Sequence, residues 1–433
     1  MKLTSLLGLT AELLSKINLN FPPDKIVAKF FRDRKYLGSH DRKFISESLF
    51  GVLRWKKLLE YYFEIISTQE NLNEFYDKNK GIILIFSYLY LINKNNEYLN
   101  YQFESEFIYL EQYKTKLINL IKTNSFNGNI AIELSHPDWL IDELKNNYSI
   151  DEIINICKVN NKQAPITLRT NLLKINREEL QKELAIEKVE TNITKYSPCG
   201  LNLEKRINVF QLKSFKKGYF EVQDEGSQII SLLANPKPGD KIIDVCSGAG
   251  GKSLAMAAQM NNRGEIFGFD IIEKKLDEFK KRIKRAGVDI IKLNHLKENI
   301  LPKKFNEFAD ILLIDSPCSG IGTLRRNPGL KWSVTPKIID EINVKQKLIL
   351  QNYSTSVKVN GKLIYATCSI LKKENEDIIQ NFMRENKNFE IEDPKQSLKY
   401  YKLENLVTSE YLKLYPHIHN TDGFFAAVLK RNY

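Results

Sequence analysis

The sequence of 433 residues is poor in the patterns that build disulfide-rich and metal-binding proteins. Its five cysteines are far apart and form no C-x-x-C motif, which excludes the disulfide framework of a small secreted protein. Its five histidines also lack the spacing of metal ligands, so we predict no metal site. The thiols are therefore expected to stay reduced, as in a cytoplasmic protein.

Long apolar segments are also missing. The longest apolar run, residues 81–92 (GIILIFSYLYLI), is too short to cross a bilayer. Near the N-terminus, Glu12 and Lys16 stand where the apolar core of a signal peptide would continue, and no small-residue cleavage site follows. We therefore predict no membrane partner and no export.

Acidic residues are fewer than basic ones. The chain has 53 Asp and Glu against 65 Lys and Arg, which gives a net charge of +12. This excess favours a polyanionic partner such as nucleic acid. Hydrophobic residues make up 42% of the chain, which is enough for large cores, and the length predicts about two to four domains.

The first two of three predicted domains differ in their apolar patterns. Residues 1–132 contain little glycine or proline, and residues 40–66 repeat apolar positions at helical spacing, with Ser39 or Asp41 as the cap. We predict an all-helical domain there. Residues 133–219 mix helical with extended segments, among them 208–223, and predict a small α+β subdomain without a catalytic cluster.

The third predicted domain, residues 220–433, alternates apolar strands with helices. Its predicted strands are residues 242–245, 265–270, 289–293, 310–315 and 362–368. Uninterrupted apolar strands separated by helices indicate a parallel sheet that is covered on both faces. The predicted fold class is therefore α/β, a doubly wound Rossmann-like sheet preceded by the small α+β subdomain and the all-helical domain.

A glycine-rich turn follows the first of these strands and reads DVCSGAGGKS from Asp244 to Ser253. Such a turn before a helix lets a ligand approach the backbone N–H groups. A P-loop would need glycine where Cys246 stands, and Gly248-x-Gly250-x-x-Ser253 departs from the dinucleotide fingerprint. An acidic residue followed by G-x-G-G fits the cofactor loop of a methyltransferase.

Asp270 ends the next predicted strand. An acidic residue at this place suits hydrogen bonds to ribose hydroxyls, in nicotinamide and S-adenosylmethionine sites alike. The alternative is that Asp270 caps the helix that follows.

Two cysteines end two further strands. Cys318 lies in Asp315-Ser-Pro-Cys, and Cys368 lies 50 residues later in Ala-Thr-Cys-Ser. Because ligands of open α/β sheets bind at the carboxyl ends of the strands, both thiols are predicted to face one crevice. Paired thiols suit methylation of cytosine C5, since one thiolate adds to C6 and a second group assists the elimination. Asp315 is placed to meet the N3 and amino edge of the base.

These motifs resemble the RsmB/NOP family of RNA cytosine-5 methyltransferases. The likeness covers about the last 300 residues and is carried by DSPCSGIGTLRRNPGLKW (315–332), VNGKLIYATCSILKKENE (359–376), TDGFFAAVLK (421–430), FEVQDEGSQ (220–228) and APITLRTN (164–171). It implies that Cys368 is the nucleophile and that Cys318 releases the product. DNA cytosine methyltransferases attack from a Pro-Cys motif, so the reverse assignment is the alternative.

The resemblance also implies a site for S-adenosylmethionine. The residues that it assigns to the cofactor are Cys246, Ser247, Gly248, Ala249, Gly250, Gly251, Lys252, Asp270 and Asp315. Lys252 is expected near the cofactor carboxylate. The acidic residue that the family carries after the third strand is missing from LNHLKEN, and Glu298 is the candidate replacement.

The resemblance extends to the partner. Residues 41–54 (DRKFISESLFGVLR) look like the NusB-type RNA-binding domain of the bacterial small-subunit members, which implies 16S rRNA as the substrate. We expect a monomer. The alternatives are a tRNA cytosine-C5 methyltransferase and a catalytically inactive ribosome-assembly factor. A nicotinamide oxidoreductase on the same fold is disfavoured by the G-x-G-G loop and the paired thiols.

Four residues shortly after the Pro-Cys motif are candidates for contacts with RNA: Arg325, Arg326, Lys331 and Trp332. Basic groups beside a planar ring suit phosphate contacts and stacking around an extruded cytosine. The alternative is a structural loop that is anchored by a buried tryptophan.

Overall fold

The computed structural model describes residues 1–19, 23–68, 73–94, 101, 103, 107–123, 126, 128–298 and 300–433. These residues form two compact units. Residues 1–162 and 324–335 make up the first, which we name the helical unit. Residues 163–323 and 336–433 make up the second, which we name the sheet unit.

Helices and strands of the described residues are numbered in chain order. The helices are α1 (Leu3–Ser15), α2 (Pro23–Asp33), α3 (Ser39–Thr68), α4 (Asn73–Tyr88), α5 (Ile108–Thr123), α6 (Ile130–Glu133), α7 (Asp138–Lys145), α8 (Ile150–Asn160), α9 (Arg177–Ile186), α10 (Lys213–Lys216), α11 (Glu225–Ala234), α12 (Gly251–Gln259), α13 (Glu273–Ala286), α14 (Leu330–Ser333), α15 (Pro336–Ser354), α16 (Glu376–Glu385), α17 (Pro394–Leu398) and α18 (Pro416–His419). The strands are β1 (Thr167–Thr170), β2 (Thr191–Ile193), β3 (Gly200–Leu203), β4 (Phe220–Val222), β5 (Lys241–Val245), β6 (Glu265–Asp270), β7 (Ile291–His295), β8 (Ala309–Asp315), β9 (Val357–Thr367), β10 (Phe389–Glu392), β11 (Leu412–Leu414) and β12 (Phe424–Arg431).

The helical unit is built from α1 to α8 and α14. Its core lies along α3, which begins at Ser39 and bends at Trp55, where the backbone leaves helical geometry. The helical prediction for residues 1–132 is confirmed where the structure describes them, and the remainder lies outside the described residues. No described helix is both long and apolar enough to span a bilayer.

Residues 133–162 group with the helical unit, although their sequence pattern predicts the α+β subdomain. Most of this segment forms the helices α7 and α8, whose apolar faces are buried. The Oγ atom of Ser135 accepts a hydrogen bond of 3.0 Å from the backbone N–H of Lys57, in the middle of α3. This contact joins the start of the segment to the longest helix of the unit.

The small α+β part of the sheet unit is a four-stranded antiparallel sheet in the order β2-β3-β1-β4. Helix α9 buries Leu180 and Leu184 in the core beside this sheet. The prediction of extended structure for residues 208–223 is wrong for its first part. A 3₁₀ turn and α10 occupy Val209–Gln211 and Lys213–Lys216, and only β4 is extended, because capping by Asn208 and Glu187 favours the turns.

The large sheet has the order β10-β12-β9-β8-β5-β6-β7, with β11 paired to β12. The strands from β9 to β7 are parallel, whereas β12 is antiparallel to β9, β10 and β11. Helices α11, α12 and α13 pack in the core on one face, and α15 and α16 pack in the core on the other. The doubly wound α/β prediction is therefore confirmed, with the correction that the sheet is mixed and ends in antiparallel strands.

Strand order reverses at the centre of this sheet. The chain passes from β5 outward through β6 to β7, then crosses to β8 and β9 on the opposite side of β5. Loops that leave β5 and β8 therefore diverge at their carboxyl ends. A crevice opens where loops diverge in this way, and open α/β sheets bind their ligands there.

Candidate active site

A cavity of about 590 Å³ lies at the carboxyl ends of β5, β6, β8 and β9. Its walls contain the glycine-rich turn, the ends of the strands and both motif cysteines. The residues predicted from the sequence that line it are Cys246, Ser247, Gly248, Ala249, Gly251, Lys252, Asp270, Asp315, Cys318 and Cys368. Two motifs far apart in the chain thus meet at one crevice, as the strand order requires.

The glycine-rich turn is shaped by a left-handed residue at the start of α12. Gly250 has a φ of +79°, and a Cβ atom added to it would lie 1.9 Å from the ring of Phe279, which is fully buried. Only glycine fits this position. Gly248 also has a positive φ, but a Cβ there would meet only one backbone oxygen, 4.0 Å away. The turn is therefore packed against the core at Gly250 and open at Gly248.

Asp270 connects the turn to the end of β6. Its Oδ2 atom accepts a hydrogen bond of 2.8 Å from the N–H of Gly248, and its Oδ1 atom accepts one of 2.8 Å from the N–H of Ile272. The alternative of a helix cap is wrong, because α13 begins at Glu273 with Ile272 at its N-cap position and no side-chain cap. The carboxylate lines the cavity, where a ribose hydroxyl is a suitable partner.

Asp244 is a buried acid at the end of β5. Burial raises its pKa to about 7, although Ser253 Oγ donates a hydrogen bond to its Oδ2 atom. Its Oδ1 atom is buried and has no hydrogen-bond partner within the described part of the chain. Because Asp244 lines the cavity, this oxygen is a polar group for which a ligand or a water molecule would supply the missing contact.

Lys252 pairs with Asp315 across the cavity. Its Nζ atom lies 2.5 Å from Asp315 Oδ2. Burial alone would lower the pKa of this lysine, but the Asp315 carboxylate raises it above its ordinary value, with a further contribution from Cys368. The ammonium group is therefore close enough to Cys368 to interact with it electrostatically. Its predicted place near a cofactor carboxylate stays a prediction.

The two motif cysteines are in direct contact. Their Sγ atoms are 3.3 Å apart, and both are free thiols. The backbone N–H of Gly322 donates a hydrogen bond of 3.0 Å to the carbonyl of Cys368, so the loop after Cys318 is also joined to the Cys368 loop through the backbone. The expectation that both thiols face one crevice is confirmed.

The thiol of Cys318 is held in its protonated form. The hydrogen bond with Cys368 raises its pKa well above the ordinary value, and burial and the charge of Glu374 act in the same direction. Burial likewise raises the pKa of the Cys246 thiol under the glycine-rich turn. A protonated, buried thiol is a poor nucleophile, so neither residue is prepared to attack a base at rest.

Glu374 is a buried acid that is absent from the site residues predicted from the sequence. Its Oε1 atom accepts a hydrogen bond of 2.6 Å from the N–H of Ser319, and its Oε2 atom accepts 2.5 Å bonds from the hydroxyls of Ser319 and Ser369. Each of these serines directly follows a motif cysteine. The signal that could indicate Glu374 is its acidic side chain six positions after Cys368, inside a motif that resembles the family.

The α+β part, through Gln223, and helix α13, through Arg282, also contribute to the cavity wall in a way that the sequence does not reveal. Gln223 and Arg282 line the cavity, and Arg282 donates a 2.8 Å hydrogen bond to the carbonyl of Ala249 in the glycine-rich turn. Arg169 is buried on β1 and donates to Gln223 Oε1. These contacts brace the turn from outside its own motif, so no local pattern predicts them.

The candidate replacement for the missing acidic residue is not supported. Glu298 is exposed, and Leu296 lines the cavity on that side instead. The wall after β7 is therefore apolar. An apolar wall suits the flat face of an aromatic ring.

Two of the four predicted RNA contacts, Arg325 and Lys331, are buried in the helical unit, and a third, Trp332, is half-buried there. Lys331 is fully buried, and its ammonium donates to the carbonyls of Arg54 (3.0 Å) and Ser135 (3.2 Å). Trp332 Nε1 donates a hydrogen bond of 2.6 Å to the carbonyl of Leu53, and Arg325 is also buried. The burial of Lys331 contradicts its assignment to RNA, because an enclosed ammonium cannot meet a phosphate. The alternative of a structural loop with a tryptophan anchor accounts for these contacts.

Arg326 is half-buried, and its predicted contact with RNA stays a prediction. It lies beside Arg325 in the segment that the chain contributes to the helical unit. The structure therefore leaves two of the four candidates, Arg326 and Trp332, with partial access to solvent.

Comparison with known proteins gives two family matches. Residues 231–430 match the family described as 16S rRNA methyltransferase RsmB/F. Residues 136–210 match the ferredoxin-like domain of RsmF/B-like methyltransferases. The two matches together cover most of the sheet unit and the end of the helical unit.

Curated relatives cover a similar span. A probable ribosomal RNA small subunit methyltransferase B from Synechocystis is 33% identical over 303 residues, which are 69% of this chain and 67% of the relative. The protein described in the same words from Bacillus subtilis is 30% identical, over 70% of this chain and 68% of its own. A human 28S rRNA (cytosine(4447)-C(5))-methyltransferase is 28% identical over 71% of this chain and 39% of its own.

Solved structures agree with the fold. The crystal structure of PH0851 superposes with a TM-score of 0.76 at 25% identity and covers 98% of this chain and 97% of its own. NSun6 from Pyrococcus horikoshii, solved with SFG, has a TM-score of 0.59 at 22% identity over 69% of this chain and 98% of its own.

Proposed function

Because the chain belongs to the RsmB/F family of 16S rRNA methyltransferases, we propose that it methylates carbon 5 of a cytosine in small-subunit rRNA. The methyl donor of such an enzyme is S-adenosylmethionine, which supplies an electrophilic methyl group. The observation that carries the proposal is the 3.3 Å contact of Cys318 and Cys368 at a cavity whose other wall is a methyltransferase-type glycine turn.

We assign the cofactor to the glycine-rich turn, Asp270 and the apolar wall at Leu296. The cavity offers a carboxylate for ribose hydroxyls, an open backbone at Gly248 and an apolar surface for a ring. The unpartnered Oδ1 atom of Asp244 provides a further acceptor within the same cavity. These are the kinds of contact that a nucleoside bearing an amino-acid group requires.

In the proposed reaction Cys368 attacks the base. Its thiolate donates an electron pair to C6 of the cytosine, and the electrons of the C5–C6 double bond make C5 nucleophilic. The ammonium of Lys252 interacts electrostatically with Cys368, so a positive charge lies near the proposed nucleophile. Asp315 is bonded to that same ammonium and is assigned to the N3 and amino edge of the base.

Cys318 acts after the methyl group has been transferred. While Cys368 is free, its contact is the largest cause that keeps Cys318 protonated. Once Cys368 Sγ is bonded to C6, that contact is lost, and Cys318 becomes easier to deprotonate. Cys318 loses its own proton to solvent, and its thiolate takes the C5 proton. The C5–C6 double bond then re-forms, and Cys368 leaves as a thiolate. The order of the two steps thus follows from the contact between the thiols.

The test is a pair of cysteine substitutions assayed on 16S rRNA from cells that lack this protein. Cys368→Ala should abolish both methylation and the covalent protein–RNA adduct. Cys318→Ala should instead accumulate an adduct that survives denaturing electrophoresis. Cys157→Ala, which removes a buried thiol of the helical unit, is the control that keeps activity.

Three outcomes would contradict this assignment. If Cys318→Ala abolishes the adduct and Cys368→Ala traps it, the roles of the thiols are reversed. If the wild type methylates tRNA and not 16S rRNA, the substrate assignment is wrong. If it binds S-adenosylmethionine but methylates no RNA, the chain is a non-catalytic assembly factor. Bisulfite mapping of the rRNA identifies the modified cytosine.

A further inference from the structure

The loops of the two motif cysteines share one buried carboxylate. Glu374 is fully buried, and it accepts hydrogen bonds from Ser319 and Ser369. Because Ser319 directly follows Cys318 and Ser369 directly follows Cys368, this one side chain connects the same position in both loops. The two serine hydroxyls also lie 3.5 Å apart.

All three contacts of this carboxylate are with donors. The backbone N–H of Ser319 can only donate, so Oε1 of Glu374 must accept whatever its protonation state. The hydroxyls of Ser319 and Ser369 both reach Oε2 at 2.5 Å, and although burial raises the pKa of the Glu374 carboxyl group, these hydrogen bonds lower it. A buried acid with this many donors is held by strong contacts that resist displacement.

Glu374 is itself fixed by the strand that carries Cys368. The hydroxyl of Tyr365 donates a 2.8 Å bond to the carbonyl of Glu374. The adjacent Asn375 accepts a 2.5 Å bond from Thr367 Oγ1 and donates a 3.0 Å bond to the carbonyl of Ser369. Glu374 is thus held by the strand and loop that carry Cys368, and its hydrogen bonds to Ser319 connect it to the Cys318 loop.

We propose that Glu374 is a positioning residue that ties the Cys318 loop to the Cys368 loop and so sets the contact between the two thiols. This inference rests on the proposed function and adds a residue to it. Loss of the carboxylate frees the Cys318 loop, and Cys318 then no longer lies where the C5 proton must be collected. Release of the product should suffer more than attack, because Thr367 and Asn375 hold the nucleophile independently.

The test compares adduct decay with adduct formation in Glu374→Gln and Glu374→Ala. We expect the lifetime of the adduct on 16S rRNA to lengthen by about 10-fold or more, since small misplacements of a reacting group cost that much. Glu374→Gln keeps an acceptor for the N–H of Ser319 and should lengthen it less than Glu374→Ala. Affinity for S-adenosylmethionine, measured by calorimetry, should not change.

Glu225→Gln is the matched control. Glu225 is also a buried acid of the sheet unit, and it accepts hydrogen bonds from the backbone N–H groups of Tyr196 and Ser197. Glu225→Gln keeps an acceptor for both N–H groups and matches Glu374→Gln, whereas Glu225→Ala matches Glu374→Ala and should lower stability in a similar way, because two backbone donors lose their partner. In the Glu225 variants, the ratio of adduct decay to adduct formation should stay at its wild-type value. If Glu374 only stabilises the fold, the Glu374 variants should keep this wild-type ratio as well.

Ser319→Ala and Ser369→Ala keep the proposal testable if Glu374 variants do not fold. Each removes one donor and leaves the carboxylate in place, so each should lengthen the adduct lifetime by less than Glu374→Ala. If Cys318→Ala traps an adduct but the Glu374 and serine variants decay at the wild-type rate, the positioning role is overturned and the proposed function stands. If Cys318→Ala traps nothing and no RNA is methylated, the proposed function itself fails.

Discussion

The carboxyl group of Asp244 makes stability depend on pH. Burial raises its folded-state pKa to about 7, whereas an unfolded aspartate titrates near about 3.9. The folded chain therefore binds a proton more tightly than the unfolded chain. Its contribution to stability is fully present below about pH 3.9 and is lost as the pH rises through about 7.

We predict that Asp244→Asn flattens this dependence, because the amide resembles the protonated acid and does not titrate. Relative to wild type, the variant should gain about 3 kcal/mol of unfolding free energy between about pH 4.5 and about pH 8. Urea denaturation monitored by circular dichroism at both values measures it. Asp277→Asn, on the exposed side of α13, is the control, and an equal gain in both variants would contradict the prediction.

The turn between β5 and α12 depends on one glycine for its packing. We predict that Gly250→Ala lowers stability and abolishes measurable binding of S-adenosylmethionine, because the added Cβ would overlap the buried ring of Phe279. The cost should exceed that of a strained backbone alone by on the order of 1–3 kcal/mol. Thermal unfolding and calorimetric titration of the cofactor measure the two effects.

Gly239→Ala separates overlap from backbone strain. Gly239 has a φ of +101°, and a Cβ atom there would meet nothing within 4 Å. Its substitution should cost only the strain of a left-handed residue and leave cofactor binding intact. Equal losses in the two variants would show that the overlap with Phe279 is relieved by movement of the turn.

The elements that could be predicted from sequence are those with a local pattern. Apolar runs mark β5, β6 and β8, and the rule that ligands bind at the carboxyl ends of strands places Cys318 and Cys368 at one crevice. Strand β12 is equally apolar, but it runs antiparallel to β9, and no local sequence pattern predicts the direction in which two distant strands pair.

The contacts that could not be predicted join distant parts of the chain. Glu374 accepts a hydrogen bond from a serine 55 positions earlier in the chain. Nothing in the local sequence distinguishes a buried glutamate from an exposed one. The prediction that Lys331 contacts RNA follows from the usual exposure of basic residues, and its enclosure depends on α3 and α8. Tertiary contacts decide whether a charged side chain is buried, so the sequence alone does not predict that Glu374 and Lys331 are enclosed.

The division of the molecule in space differs from its division along the chain. Residues 324–335 follow the Pro-Cys motif of the sheet unit, yet they belong to the helical unit, and the chain then returns to the sheet unit at residue 336. Trp332 and Lys331 anchor this segment through hydrogen bonds to carbonyls at the middle of α3. The helical unit thus includes a piece of chain from the second half of the sequence, which these hydrogen bonds attach to α3.

Lys331 should make the stability of the helical unit rise with pH. Burial lowers its pKa well below the ordinary value, so the unfolded chain holds the proton more tightly. Stability from this group is therefore gained as the pH rises toward about 10.4. Burial also lowers the pKa of His136, which changes the unfolding free energy only below about pH 6.5. Burial raises the pKa of Cys157 to about 12, so this thiol lowers the unfolding free energy above about pH 8.5 and opposes the effect of Lys331.

We predict that Lys331→Met removes the rise that wild type shows in the unfolding free energy of the helical unit between about pH 7 and about pH 9. Methionine fills a similar volume, and the neighbouring His136 and Cys157 titrate in both proteins, so the difference between the two curves isolates Lys331. The three tryptophans, Trp55, Trp139 and Trp332, all belong to the helical unit, so their fluorescence during urea denaturation reports on this unit alone. Lys145→Met, at an exposed ion pair on α7, should follow the wild-type curve. Parallel curves for wild type and Lys331→Met would mean that the enclosed amine keeps its proton, and that its bonds to Arg54, Ser135 and Asn161 compensate fully for its burial.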